Sequence, residues 1–444
     1  MSAFTRIFST TFLVSLSLMN DAPCSSEEVE FTLKTSVKKA ISYAHDIHLA
    51  RERIVEAEKQ HSMVFSKAFP SISGNALISE RKETINMANR LLFGGEPYNY
   101  YEAGLELSQP IYQGGSFFAG LSAAKKEQEI RSLELELAER EVVANVIRSF
   151  CKLLYSQKRI ELIGREVEFQ KNLLTTATRK FKNRLGEELD MVQIQTELEL
   201  LKPQAVEAKA QLKTDIAEFA GVVGLPENSS IKLTGTSVLH DWSGLYAKMQ
   251  AQRIRRAEIE KAETTLSQAE DKKDLEMAKH LPKVDFVSRI GRISTKRTDL
   301  LVGEGPTYWS FGIQLTLPLF SGLSSVFERQ ALSSRVAQFD LESAKLRNQL
   351  AVQQVKTTQE LESNSELISA IERAIEYAKK ALQVANGSYS KGRIPYLQVF
   401  EAQKNLSRTE LSLEKAQYDR IVKASEYFAA NGWALSELVD WLDR

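Results

Sequence analysis

Cysteine is nearly absent. Only Cys24 and Cys151 occur among 444 residues, too few for a disulfide framework and without the CxxC spacing of a metal site. Histidine numbers five and forms no HExxH or similar ligand set; His45 and His48, three apart on an expected helix, read as solvent-facing side chains. Net charge is also absent. The chain balances 58 Lys+Arg against 58 Asp+Glu, so no bulk field draws it to nucleic acid, which is not an expected partner. Proline (10) and glycine (21) are sparse while 26% of residues are charged, a mixture that suits long solvated helices better than a compact globule. There is no GxGxxG fingerprint, P-loop or GxSxG elbow. The abundant acid–base pairs, such as Glu127 and Arg131, have the i, i+4 spacing of helix-surface partners. No catalytic residue, metal or cofactor is expected, and the chain does not read as an enzyme.

Long apolar runs are missing as well. Arg6 precedes a short apolar stretch from Ile7 to Met19, the pattern of a secretory signal over about residues 1–26. Cys24 follows closely, but Asp21-Ala22-Pro23 before it is a poor setting for lipid attachment. Beyond this segment no run reaches the ~18 apolar residues of a membrane-crossing helix. A membrane form of this chain must therefore enter lipid as strands.

What is present is a sequence written twice. Pro110-Ile111-Tyr112-Gln113-Gly114 matches Pro318-Leu319-Phe320-Ser321-Gly322, 208 residues later. Leu153, Ile160, Val167, Leu174 and Phe181 match Leu361, Ile368, Ile375, Leu382 and Tyr389 at the same offset, as do Ala123 and Ala331, and Gln195 and Gln403. Each half reads helix, strand pair, long helix, turn, helix. The first repeat spans 27–224, with strands at about 71–80 and 100–111, a long helix over 113–183 and a helix over 187–222. Residues 225–242 form a connector. The second repeat spans 243–431, with strands at about 283–293 and 308–319, a long helix over 322–388 and a helix over 395–430; a C-terminal segment, 432–444, follows.

The first long helix lacks proline throughout and would extend roughly 100 Å at 1.5 Å per residue. In the second, Leu361, Ile368, Ile375 and Leu382 step by heptads, with Ile371, Ala378 and Ala385 between them, the seam of a left-handed coiled coil. Trp309, Phe311, Ile313, Leu315 and Leu317 alternate with Ser310, Gly312, Gln314 and Thr316. Tyr101, Ala103, Leu105 and Leu107 alternate with Glu102, Gly104, Glu106 and Ser108. Strict period two over ~10 residues suits a barrel strand in lipid, apolar outward and polar toward a wet lumen; Ser310, Gln314 and Thr316 are then lumen-facing. Tyr98, Tyr100, Tyr101, Tyr308 and Trp309 gather at one end of the strands, as an interfacial girdle would. Four strands cannot close a membrane barrel. Three chains would supply twelve, placing the helices in a ring beneath a shared barrel.

Two further segments carry a family resemblance. Phe181-Lys182-Asn183-Arg184-Leu185-Gly186-Glu187-Glu188-Leu189-Asp190-Met191-Val192-Gln193-Ile194-Gln195 and Tyr389-Ser390-Lys391-Gly392-Arg393-Ile394-Pro395-Tyr396-Leu397-Gln398-Val399-Phe400-Glu401-Ala402-Gln403 resemble the tip motifs of TolC-like outer-membrane factors. Phe69-Pro70 and Leu281-Pro282 look like that family's helix-to-strand junctions. The resemblance covers nearly the whole chain past the signal. It implies a homotrimer in the outer-membrane lipid of a Gram-negative bacterium, with a twelve-stranded barrel and a helical α-barrel through the periplasm. It implies a closable aperture at the helix tips, a periplasmic adaptor and an inner-membrane transporter that drives efflux or type I secretion. Gln398 and Glu401 stand where the family rings its narrow end with acids, and only Glu401 keeps the charge. Asp190 and Tyr389 stand where an aspartate and a tyrosine latch the closed tip through a charge-assisted bond; Ile394 replaces the arginine of that latch. Arg184 occupies a position where the family usually has glycine, leaving Gly186 and Gly392 as the expected turn glycines. Arg184, Leu185, Gly186, Lys391, Gly392 and Arg393 form the expected adaptor-contact tip, more basic than the family pattern. A soluble, elongated coiled-coil scaffold is the alternative; it leaves the alternation from Trp309 to Leu317 without a purpose. The cargo is not legible.

Overall fold

The computed structural model describes residues 29–81, 97–184, 186–226, 231–233, 256–296, 306–320 and 322–442. The expected signal segment, Cys24, Leu185 and most of the expected connector lie outside them. Among the described residues the elements are, in order, β1 (Val29–Phe31), α1 (Leu33–Tyr43), α2 (His45–Ser66), β2 (Ser71–Arg81), β3 (Tyr98–Gln113), α3 (Ser116–Lys182), α4 (Glu188–Val223), β4 (Ile231–Leu233), α5 (Ala257–Ala278), β5 (Lys283–Ser294), β6 (Thr307–Thr316), α6 (Ser324–Ser390), α7 (Tyr396–Asn431) and α8 (Leu435–Leu442).

The duplication is carried through the backbone. Helices α3 and α6 have 67 residues each, α4 and α7 have 36 each, and α2 and α5 have 22 each. From the end of the hairpins onward the offset is 208, but α2 and α5 begin at His45 and Ala257, 212 apart. The stretch between β5 and β6 is shorter by the difference. Left-handed residues also come in repeat-related pairs: Gly114 and Gly322, Gly115 and Leu323, Arg184 and Gly392, Gly224 and Gly432. The sharp turn at Gly114-Gly115 starts α3 at Ser116 rather than at 113, and Gly322-Leu323 starts α6 at Ser324. Strand β6 ends at Thr316, so Leu317, Pro318 and Leu319 fall outside it.

Local chemistry explains the helix ends. Thr32 and Thr35 form a reciprocal capping box at the start of α1. Arg179, Lys180 and Lys182 lie in the last turn of α3, while Glu188 and Asp190 lie in the first turn of α4; both placements complement the helix dipoles. Glu127 and Arg131 pair at 2.7 Å on the face of α3.

Two hydrophobic cores space the long helices. The larger, at the waist, gathers Phe31, Leu33, Ile47, Val146, Phe150, Leu153, Phe219, Ile421, Phe428, Trp433 and Leu438. Within the connector, Ile231–Leu233 pairs in parallel with Val29–Phe31, tying the middle of the chain to its beginning at this waist. Beside it the buried Asp215 accepts from Gln211 Nε2 at 2.8 Å, from the Ser156 hydroxyl and from Lys152 Nζ at 3.2 Å. Such a carboxylate is tolerable only because it is paired. Cys151 is buried here, and burial pushes its thiol up to about 12, which makes it inert. The smaller core, near the far ends of the helices, holds Leu173, Ala177, Ile194, Tyr389, Tyr396 and Val399. From Leu361 in the larger core, Ile368 and Ile375 carry the buried heptad seam of α6 toward the smaller one. No helix among the described residues is long and apolar enough to cross a membrane.

Candidate functional site: a two-faced sheet and paired helix tips

The four long strands form one antiparallel sheet in the order β2-β3-β5-β6, with β2 and β6 at its edges. Side-chain alternation and cross-strand register together sort every residue to a face. Trp309 faces Ile290, Ile313 faces Phe286 and Leu315 faces Val284; Leu105 faces both Ile290 and Gly74. Nothing among the described residues covers this apolar face: Ile78 is 73% exposed, Trp309 73% and Ile313 72%. Ser288 and Arg292 share it, Arg292 at the end beside Thr307.

The other face is polar and internally bonded. Ser310, Gln314 and Thr316 lie there opposite Arg289, Asp285 and Lys283. Arg289 Nε donates to Glu106 Oε2 at 2.8 Å. Glu102 accepts from the Tyr308 hydroxyl at 2.6 Å and from the Tyr100 hydroxyl at 3.1 Å, and the Arg81 guanidinium lies 3.5 Å from the centre of the Tyr100 ring. The network spans all four strands because the Tyr308 ring crosses Gly291; a Cβ there would come within 2.8 Å of the ring. The aromatic girdle expected from sequence is thus divided. Tyr101 and Trp309 belong to the apolar face, whereas Tyr98, Tyr100 and Tyr308 take the polar face by strand parity.

At the opposite end the two helix pairs turn. Gly392 supplies a left-handed residue at φ 70° in the second turn; in the first, Arg184 does so at φ 59°. Gly186 is not the left-handed residue, which corrects the sequence expectation. Its role is close approach, since a Cβ on it would lie 3.0 Å from that of Lys180. Arg184, Lys391, Gly392 and Arg393 are exposed and Gly186 is half-buried; Leu185 lies outside the described residues.

Tyr389, at the end of α6, is 4% exposed. Its hydroxyl donates to Asp190 Oδ2 at 3.4 Å, the long end for such a bond. Burial first, then the Asp190 charge and this bond, push the phenol up to about 12. Lys180 Nζ sits 3.8 Å from the centre of the Tyr389 ring and donates to the Tyr389 carbonyl. Close by, the buried Tyr396 hydroxyl donates to Gln170 Oε1 at 2.9 Å. Both contacts join the first half of the chain to the second. Ile394 packs against the tip core. Gln398 and Glu401 are exposed on the first turns of α7 and lie outside this cluster. Lys180, Gln170 and Tyr396 were missed in the sequence. The basic run ending α3 was visible, but nothing in it says which other helix it reaches.

A model of the family described as outer membrane efflux protein matches residues 37–225 and 249–426, both halves of the repeat. The chain belongs to the outer membrane efflux protein family. Among curated relatives, nodulation protein T of Rhizobium leguminosarum bv. trifolii is 22% identical, over 86% of this chain and 82% of its own length. The probable outer membrane lipoprotein SilC of Salmonella typhimurium is 24% identical, over 89% and 85%. The crystal structure of CusC superposes with a TM-score of 0.77 at 17% identity, covering 94% of this chain and 96% of that one. The mainly helical fold with its four-stranded antiparallel sheet is that of the CusC channel.

Proposed function

We propose that the chain is one protomer of a trimeric outer-membrane channel. It is a passive conduit for efflux or type I secretion, opened at its helical tips by a periplasmic adaptor and energised by an inner-membrane pump. The observation that carries this is the sheet: one face is apolar and exposed, the other is polar and self-bonded, and the outer edges of β2 and β6 meet no further strand among the described residues. Open edges leave backbone groups unsatisfied in hydrocarbon, so β2 of one copy has to meet β6 of another. Three sheets make a twelve-stranded barrel, with Ser310, Gln314 and Thr316 toward the lumen. Leu341, Val352, Val355, Tyr377 and Val384 on α6 are exposed too, a helical face suited to a neighbouring protomer.

In this reading Asp190 and Tyr389 fasten the tip, while exposed Glu401, with Gln398 one turn before it, faces the axis and attracts cations. Arg184, Leu185, Gly186, Lys391, Gly392 and Arg393 meet the adaptor; charge reversal at Lys391 and Arg393 should weaken assembly and transport, and unchanged transport would count against this contact. The channel performs no chemistry and needs no cofactor. Purification from an outer-membrane fraction, mass measurement in mild detergent and conductance in planar lipid test the whole. A trimer with discrete conductance steps is expected; a monomer, or a protein free in the periplasm without detergent, overturns it and favours the scaffold.

A further inference from the structure

We infer that Lys180 is the cation that fastens the end of α6, holding the tip of the second half against the first from within a single chain. This rests on the reading of the tips as an aperture. A helix ends in unsatisfied carbonyls and a partial negative charge, which basic residues of its own last turn usually answer. Helix α3 carries Arg179, Lys180 and Lys182 in its last turn; helix α6, its repeat counterpart, has no basic residue there. Lys180 corresponds by repeat to Ser388, so the duplication does not explain where its ammonium goes. It leaves its own helix end and serves the other one.

Two contacts place it there. Lys180 Nζ donates to the Tyr389 carbonyl, which also accepts from the Gly392 amide at 3.0 Å. The same ammonium lies 3.8 Å from the centre of the Tyr389 ring, a cation–π distance, and the ring is held on its hydroxyl side by Asp190 at 3.4 Å. Tyr389 is thereby gripped by charges of both signs, one from α3 and one from α4. Where the family's latch arginine would stand, Ile394 packs into the tip core. Loss of the Tyr389 hydroxyl removes only the Asp190 bond, whereas loss of the Lys180 charge removes the cation from ring, carbonyl and helix dipole together.

The full-length protein in planar bilayers provides the test, with K180M (same stem, no charge), K180R and Y389F. The expected result is that K180M spends about tenfold more time conducting than the wild type, a factor within the range of one partly buried cation–π and dipole contact. K180R should stay near the wild type, and Y389F should fall between. Hydrogen exchange at amides 389–393 should quicken in K180M and not in K180R, with the oligomer mass unchanged. Wild-type conduction with K180M indistinguishable from it, K180M conducting less, or K180R as leaky as K180M would each overturn the role of Lys180 and leave the channel standing. Absence of conductance from the wild type and all variants would overturn the channel reading itself. Unchanged exchange in K180M would then remove the clasp as well.

Discussion

The two long helices end at Lys182 and Ser390, matching points of one repeat, and each presents an aromatic residue one position earlier. Phe181 is 42% exposed and Tyr389 is 4% exposed. Their neighbours have diverged in the same sense. Lys180 stands against Ser388, Asp190 against Gln398, and Arg184 against Gly392. Duplication preserved the backbone of the two tips to the residue while their side chains became complementary: the first half supplies the charges and the second the buried ring. The sheets behave otherwise. Leu105 and Ile313, also repeat mates, lie on the same apolar face, because both hairpins meet the same surroundings.

The largest expected effect tests that agreement. Ile313→Arg and Leu105→Arg should each cost roughly 2–4 kcal/mol of barrel stability near mid-membrane, read as loss of the protein from the outer-membrane fraction. Gln314→Arg, on the other face, should leave its yield unchanged; a water-soluble thiol reagent should likewise label cysteines at 314 and 316 but not at 311 and 313. Next comes the divergence at the tip. Tyr389→Ala should cost about 3 kcal/mol as a buried aromatic is lost, against ~0.5 kcal/mol for exposed Phe181→Ala, measured by denaturant midpoints of the tip. Equal losses would erase the asymmetry. Smaller again, Arg184→Gly should gain up to ~1 kcal/mol by relieving the left-handed backbone and Gly392→Ala should lose about as much.

A separate effect concerns pH and appears only in strong alkali. With the Tyr389 phenol pushed from 10.0 up to about 12, its neutral form is the one the folded tip prefers. That contribution is complete below about pH 10 and is lost as pH rises through about 12. Tyrosinate difference spectra of the wild type against Tyr389→Phe should show one late-titrating phenol.

Much of this was legible in the residues, and for definable reasons. Heptad spacing from Leu361 to Leu382 marks the buried seam of α6, and alternation from Trp309 to Leu315 marks the two faces of β6, since both depend on local periodicity alone. The tip motifs led to the expectation that Asp190 and Tyr389 meet, and the two are in contact. The girdle was misread because Tyr100 and Tyr308 cluster by position along the strand, while face is decided by parity, and their hydroxyls are drawn to Glu102. The choice of Gly186 as turn residue failed similarly: glycine permits a left-handed backbone but does not compel it, and the repeat places that conformation at Arg184, opposite Gly392.

By itself, the order of residues determined the long helices and the amphipathic strands, the duplication and the impossibility of a closed four-stranded barrel, because periodicity and backbone hydrogen bonding act over neighbouring positions. Only the folded chain decided that Lys180 serves α6 rather than α3, that Tyr396 reaches Gln170, and that Tyr308 crosses Gly291 to Glu102. Those partners lie about two hundred residues apart, and contact at that separation is settled by how helices and strands pack, not by spacing along the chain.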